Sequence, residues 1–182
     1  MTRTQPSALT LIVSSAPLAE RAADIAGAFT TGGWSVRVVT TPSASSWVDA
    51  ESIRATTGAE PTSVQRLPDR PAPTEFATSS VLVAPLTFNS LNKWTLGIAD
   101  NYALGILCEA LARGLPVVAI PVIGRRFWDH PATSNSMELL ISRGVSLVDI
   151  ASGDNNIRPL ESGSGPSLAA AFDPTTLLQR FA

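Results

Sequence analysis

The chain has 182 residues, 45% of them hydrophobic and 15% charged, with a formal net charge of −2. That length builds one domain with a full core and is short for two. With Lys93 as the sole lysine, no basic stripe can follow a phosphate backbone, which excludes nucleic acid as the main partner. One histidine, His130, one cysteine, Cys108, and one tyrosine, Tyr102, exclude an intrachain disulfide and a zinc site of three or four His or Cys ligands. No metal site is expected, and any catalytic triad would have to use His130. Charge is well below the roughly 25% of average soluble proteins, which we read as surface covered by other subunits, hence a homo-oligomer. There is no apolar run of about 18 residues, and MTRTQPSALT has no apolar h-region. The expectation is a reduced, cytoplasmic protein with no membrane partner.

Leu9 to Val13 is a short apolar run ending at Ser14-Ser15-Ala16-Pro17, and Leu18, Ala22, Ile25, Ala26 and Phe29 then recur at helical spacing up to Gly32-Gly33. Trp34 to Thr41 reads as a second strand, followed by Pro42-Ser43 and a helix carrying Trp47, Ala50 and Ile53 up to Gly58. A weak strand over Thr62 to Leu67 leads into a Pro-rich connection, and Val81 to Ala84 is a buried strand ending in PLTFNS. Leu91 to Arg113 is a long helical region that Gly97 and Asp100 split in two, with Asp100 expected as the cap of the second half. Pro116 to Val122 is the next strand, IGRRFWDH a loop, Pro131 the start of a helix reaching Arg143-Gly144, and Val145 to Asp149 the last strand. The alternation predicts an α/β fold: an open, Rossmann-like parallel sheet of about six strands with helices on both faces. We read residues 1–182 as one domain, with its core over about 9–149, a flexible Gly/Ser/Asn-rich connection over 150–170 and a C-terminal helix over 171–182.

In such a sheet the loops after the strands share the carboxyl edge, where ligands bind. Ser14, Ser15, Thr40, Thr41, Ser43, Thr87, Asn89 and Ser90 place hydroxyls and an amide there, beside helix starts whose N–H groups favour an anion; each could instead be only a helix cap. A single phosphate monoester suits them. The first strand-helix turn has no glycine, so the G-x-G-x-x-G fingerprint is missing, and there is no G-x-x-x-x-G-K-[ST]. This disfavours NAD, FAD and nucleoside triphosphates.

At PLTFNSLNKWTLGIADN, and also over LIVSSAPLAERAADI and VVTTPSASSWVD, the sequence resembles the flavoprotein family of FMN-dependent cysteine decarboxylases, which includes phosphopantothenoylcysteine decarboxylases, peptidyl-cysteine decarboxylases and, more distantly, flavin prenyltransferases. Pro85-Leu86-Thr87-Phe88-Asn89-Ser90 is similar to the family's Pro-Ala-Ser-Ala-Asn-Thr turn, and Gly97-Ile98-Ala99-Asp100-Asn101 matches the family's version unchanged. PVIGRRFWDHPATSN, from Pro121 to Asn135, resembles the family's Pro-x-Met-Asn-x-x-Met-Trp loop with its trailing Pro-Ala-Thr. The similarity extends over roughly Leu9 to Val148. It implies FMN as cofactor, a flavin-dependent decarboxylase-like enzyme acting on a small or peptidyl thiol or carboxylate substrate, and a trimer or multiple of trimers with flavin between subunits. Two positions depart from the pattern. The stretch VQRLPDRPAPTEFATSS, where the family keeps its catalytic histidine, has none, and Ile123-Gly124 replaces the Met-Asn pair that grips substrate.

The resemblance implies cofactor contacts at Ser14, Ser15, Thr41, Ser43, Pro85, Thr87, Phe88, Asn89 and Asp100, and substrate contacts at Arg125, Arg126 and Trp128. Asn89 and His130 are the catalytic candidates, while Asp69 and Glu75 lie where the missing base would stand. The plainer readings are that Asn89 starts its helix, Asp100 caps, His130 is an exposed or interface residue, and the arginines are ordinary surface charges. Cys108 is expected as a buried small hydrophobe and Trp94 in the core or an interface. The alternatives are a non-catalytic FMN-binding or regulatory subunit working with a separate catalytic partner, and an FMN prenyltransferase-like enzyme.

Overall fold

The computed structural model describes residues 7–64 and 78–181. Asp69 and Glu75 lie outside the described residues. Strand β1 (Ala8–Val13) runs into a 3-10 turn (Pro17–Arg21) and helix α1 (Ala22–Thr31); β2 (Ser35–Thr40) is followed by a second 3-10 turn (Pro42–Ala44) and α2 (Ala50–Thr57). β3 (Ser80–Leu86) leads to α3 (Phe88–Thr95) and α4 (Tyr102–Arg113), then β4 (Val117–Pro121), α5 (Arg125–Trp128), α6 (Pro131–Ser142), β5 (Ser146–Leu147) and α7 (Gly165–Ala171).

The sheet is parallel throughout, in the order β2-β1-β3-β4-β5. It has five strands rather than about six. Of the expected strand at Thr62, the described residues hold a single bridge to Val39. Alternation along each strand feeds two separate cores. Leu9, Leu11, Val13, Leu82 and Ala84 pack with Ile25 and Phe29 of α1, Ile53 of α2, and Ala169. Ile12, Val81, Val83 and Ala119 pack on the other face with Leu91 and Trp94 of α3, Leu104 and Leu107 of α4, and Leu140 of α6. Trp94 is fully buried and its Nε1–H donates to the Leu107 carbonyl at 2.8 Å, which ties α3 to α4.

Several local expectations are corrected. Asp100 is not the cap of α4: Asn101 is, its side chain accepting from the Leu104 N–H, while Asp100 pairs with Lys93. Trp47 is not on a helix, because Asp49 caps α2 through the Ser52 N–H and starts it at Ala50. Cys108 is half-buried, and burial pushes its thiol above its ordinary pKa.

The stretch expected as a flexible connection is folded back on the sheet. The buried Asp149 carboxylate accepts from the N–H groups of Ala151, Ser152 and Arg158, each at 3.0 Å, and Leu160 bridges to Gly124 beyond β4. In place of one helix over 171–182 there are α7 and a terminal 3-10 segment (Pro174–Phe181) whose Phe181 ring meets Phe29 and Trp34 edge-on.

Helix α7 packs on the 3-10 turn after β1, where Arg21 also donates to the carbonyls of Ala169 and Ala170. A Cβ on Gly165 would meet Cγ of Pro17 at 2.8 Å, too close for a proline ring to yield cheaply. Gly165→Ala is therefore expected to cost about 1–3 kcal/mol through overpacking. A thermal melt followed by circular dichroism reads this as a midpoint lowered by several degrees.

Candidate functional site

In a sheet ordered 2-1-3-4-5 the strand order reverses between β1 and β3, and the crevice beyond their carboxyl ends is left uncovered by the crossovers. A cavity of about 840 Å³ opens there, walled by the loops after β1, β2, β3 and β4 and by residues 160–163. Its size lies within the roughly 300–1,000 Å³ of small-molecule sites.

The floor is made of hydroxyls. Ser15 and Ser43 face each other with Oγ atoms 3.1 Å apart, and Thr41 Oγ1 lies 3.3 Å from Ser43 Oγ, which joins the ends of β1 and β2. Ser14 is buried beneath them and donates from Oγ to Ser90 Oγ at 3.0 Å, and Thr87 Oγ1 reaches the same hydroxyl at 3.3 Å. Pro85 follows a cis peptide bond, and its carbonyl accepts from the Ser14 N–H at 3.2 Å. Ser14 and Pro85 are thus not among the lining residues; they act on the cavity by fixing Ser90 and the course of β1 against β3.

Thr87, Phe88, Asn89 and Ser90 form the first turn of α3 and line the cavity together. Thr87 is the N-cap, its Oγ1 accepting from the Ser90 N–H. Asn89 therefore does not cap its helix. It is exposed, and its amide makes no hydrogen bond among the described residues. An uncommitted amide beside a hydroxyl floor is a group a ligand can use in both directions, as donor and acceptor.

The opposite wall is α5 with residues 160–163. Arg125, Arg126 and Phe127 line the cavity, whereas Trp128 turns away to pack on the second core. Leu160 donates to the Ile123 carbonyl at 2.9 Å and its own carbonyl accepts from the Arg125 N–H at 3.0 Å, so residues 160–163 are laid along the loop after β4. Glu161 then pairs with Arg125 through Nε and Nη2. This pairing raises the arginine above its ordinary pKa, first through the hydrogen bond and then through the carboxylate's charge. Lys93 and Asp100 make the other ion pair of the lining. Arg126 has no carboxylate partner among the described residues.

His130 is not among the residues that line the cavity. It is the N-cap of α6, with Nδ1 accepting from the Ala132 N–H at 3.0 Å, and its ring forms a T-shaped pair with Phe88 at a centroid distance of 5.6 Å. Its position before Pro131, at the first turn of a helix, carried that signal in the sequence. The structure adds Pro17, Trp47, Lys93, Asn101, Glu161 and Ser162 to the lining, none of them among the site residues expected from sequence. Three of them had a local signal: Pro17 in the turn after the first strand, Asn101 in the Gly97–Asn101 motif, and Trp47 through the capping pattern Asp49-x-x-Ser52 that ends its loop.

A family model described as Flavoprotein matches residues 2–170. The chain belongs to the flavoprotein family. Among curated relatives, this flavoprotein is 30% identical over 178 residues to the coenzyme A biosynthesis bifunctional protein CoaBC of Mycobacterium tuberculosis, covering 96% of this chain and 41% of that protein. It thus spans about two fifths of the length of the curated relatives it matches. Among solved structures, the FMN-dependent cysteine decarboxylase TvaF from thioviridamide biosynthesis superposes with a TM-score of 0.68 at 21% identity, over 91% of this chain and 99% of that one. SpaF, another FMN-dependent cysteine decarboxylase, gives 0.65 at 22% identity over 98% of each chain. Among the described residues, no group of three or more His, Cys, Asp or Glu is placed to hold a metal, and no helix is long and apolar enough to cross a membrane.

Proposed function

We propose that this flavoprotein binds FMN in the crevice between β1 and β3 and acts as a flavin-dependent, decarboxylase-like enzyme on a small or peptidyl substrate bearing a thiol and a carboxylate. The observation that carries the reading is the donor set of the cavity. Ser15, Thr41 and Ser43 gather hydroxyls at the ends of β1 and β2, and the two carboxylates of the lining, Asp100 and Glu161, are each balanced by a cation. Such a floor suits one phosphate, while the glycine-free turn Ser14-Ser15-Ala16-Pro17 does not admit the close backbone approach of a dinucleotide pyrophosphate. Family membership and the likeness to FMN-dependent cysteine decarboxylases support the same assignment.

In this reading Ser15, Thr41 and Ser43 hold the phosphate, Thr87 and Asn89 hydrogen-bond the flavin or the substrate next to it, and Asp100 approaches from the α3–α4 loop. Bound FMN would supply the electron acceptor that none of the side chains provides. The protein's part is to orient, to exclude water and to pair the substrate's charge. We further propose a cytoplasmic homotrimer or multiple of trimers. The exposed Leu96 and Ile98, beside Asp100 on the cavity's rim, support an interface there.

Absorbance and fluorescence test the assignment: the purified protein, mixed with FMN, is expected to quench flavin fluorescence stoichiometrically and to retain a yellow chromophore through gel filtration. A protein that leaves FMN fluorescence unchanged refutes it.

A second reading is favoured by a specific observation. The chain's one histidine caps α6 through Nδ1, and Gly124 has no side-chain amide to offer a substrate carboxylate. A flavin-binding subunit without turnover would have this arrangement. Carbon dioxide release from peptides ending in cysteine separates the two: turnover by the FMN-loaded protein supports the enzyme, and FMN uptake without release supports the subunit.

A further inference from the structure

Phe88 stands where the Pro-Ala-Ser-Ala-Asn-Thr pattern has its second alanine, and Phe127 where the Pro-x-Met-Asn-x-x-Met-Trp pattern has its second methionine. The fold brings these two departures together. Their rings stack with centroids 4.8 Å apart and 19° between planes, and both line the cavity. The slab is fixed by its neighbours: the His130 ring packs T-shaped on Phe88, and Thr133 Oγ1 and the His130 N–H both donate to the Phe127 carbonyl, at 2.6 and 3.3 Å. Even so, Phe127 remains 52% exposed. A held aromatic face on a cavity wall is a surface for an apolar group.

The next residue toward the loop is Arg126, also on the lining. Of the three cations there, Lys93 is matched by Asp100 and Arg125 by Glu161, so among the described residues Arg126 carries the unmatched charge and a planar fork suited to a carboxylate. We infer that Arg126 and Phe127 are specificity-determining residues, and that they select a substrate whose carboxylate is adjacent to an aromatic or bulky apolar group. Arg126 pairs the carboxylate and Phe127, stacked on Phe88, covers the apolar group. This rests on the flavin reading for the identity of the site, and it replaces the missing loop amide by a charge.

The test is calorimetric titration of the FMN-loaded protein with 3-phenylpropionate, propionate and 3-phenylpropionamide, with FMN uptake followed separately by fluorescence. The aromatic acid is expected to bind at least tenfold more tightly than either the small acid or the amide. Arg126→Gln should bring the acid down to the amide's affinity with the melting point unchanged, and Phe127→Ala should bring it down to propionate's with the melting point lowered by a few degrees at most, as loss of one ring stack costs about 1 kcal/mol. Equal affinities for the three probes, no detectable binding of the aromatic acid, or variants that bind like the parent would overturn the inference while normal FMN uptake leaves the flavin reading intact. Loss of FMN rather than phenylpropionate in Phe127→Ala would assign the ring to the flavin and overturn it as well. Failure of the parent protein to take up FMN refutes the reading beneath it.

Discussion

Trp94→Ala is expected to be the most destabilising single change in the molecule, costing about 3–5 kcal/mol. The side chain is fully buried between α3, α4 and the sheet, so truncation opens a large cavity in the second core. It also strips the Nε1–H bond that fastens α3 to the Leu107 carbonyl. At roughly 2–4 °C per kcal/mol for a chain of this size, the melting midpoint should fall by about 6–20 °C in a calorimetric scan. Trp94→Phe separates the two causes. It keeps most of the volume but leaves out the indole donor, and its cost should be about 1–2 kcal/mol. A loss under 1 kcal/mol in Trp94→Ala would mean that the core collapses around the hole and that α3 is held in some other way. Helix α3 carries Thr87, Asn89, Ser90 and Lys93 at the cavity, so the substitution also has a functional reading. Under the proposed assignment, FMN at a hundred times its Kd should restore about 2.7 kcal/mol to any variant that still binds it.

The parts of this architecture that were legible in the sequence are those with local causes. Apolar runs of four to six residues alternating with helical spacing specify parallel strands and crossovers, and the polar loops after each strand then fall on one edge. This is how Ser15, Thr41, Ser43, Thr87 and Asn89 fall on one edge, while Phe88, Asp100, Arg125 and Arg126 came from the family resemblance; all nine are found on one cavity wall or another. What stayed hidden depends on contacts between distant segments. Glu161 reaches Arg125 across thirty-six positions because Leu160 is laid along Ile123 to Arg125, and no spacing rule carries that pairing. The Gly/Ser/Asn-rich stretch before it reads as a loose connection, yet one buried carboxylate, Asp149, gathers its N–H groups into an ordered turn. Two positions carried local signals of their own. Asn101 and Asp100 are both good caps, and the choice between them turns on which residue lies three positions before the N–H to be satisfied, here Leu104. His130 looked like the one available base, but a residue immediately before a proline at a helix start has its side chain within reach of the first free N–H groups, and His130 spends Nδ1 there.

Asn89→Ala should divide binding from stability more cleanly than any other change at the cavity. The side chain is exposed and makes no hydrogen bond among the described residues, and it occupies the second helical position of α3 while Thr87 does the capping. Alanine is at least as good a helix former as asparagine, so the melting midpoint should stay within the effect of about 0.5 kcal/mol usual for surface substitutions. Ligand binding should respond differently. An amide that supplies one or two hydrogen bonds to the flavin or its neighbour contributes about 1–2 kcal/mol, so FMN affinity or substrate turnover should fall roughly tenfold, since 1.4 kcal/mol corresponds to a factor of ten. Thr87→Ala is the mirror case. It removes the cap of α3 and should lower stability by about 1 kcal/mol, with a smaller loss of FMN affinity because Ser90 still holds its bond from Ser14. Fluorescence titration with FMN and a thermal melt on both variants read the crossed pattern directly. If Asn89→Ala leaves FMN affinity and turnover at the parent's level, Asn89 is not in the site, and the first turn of α3 contributes only its hydroxyls to whatever the cavity holds.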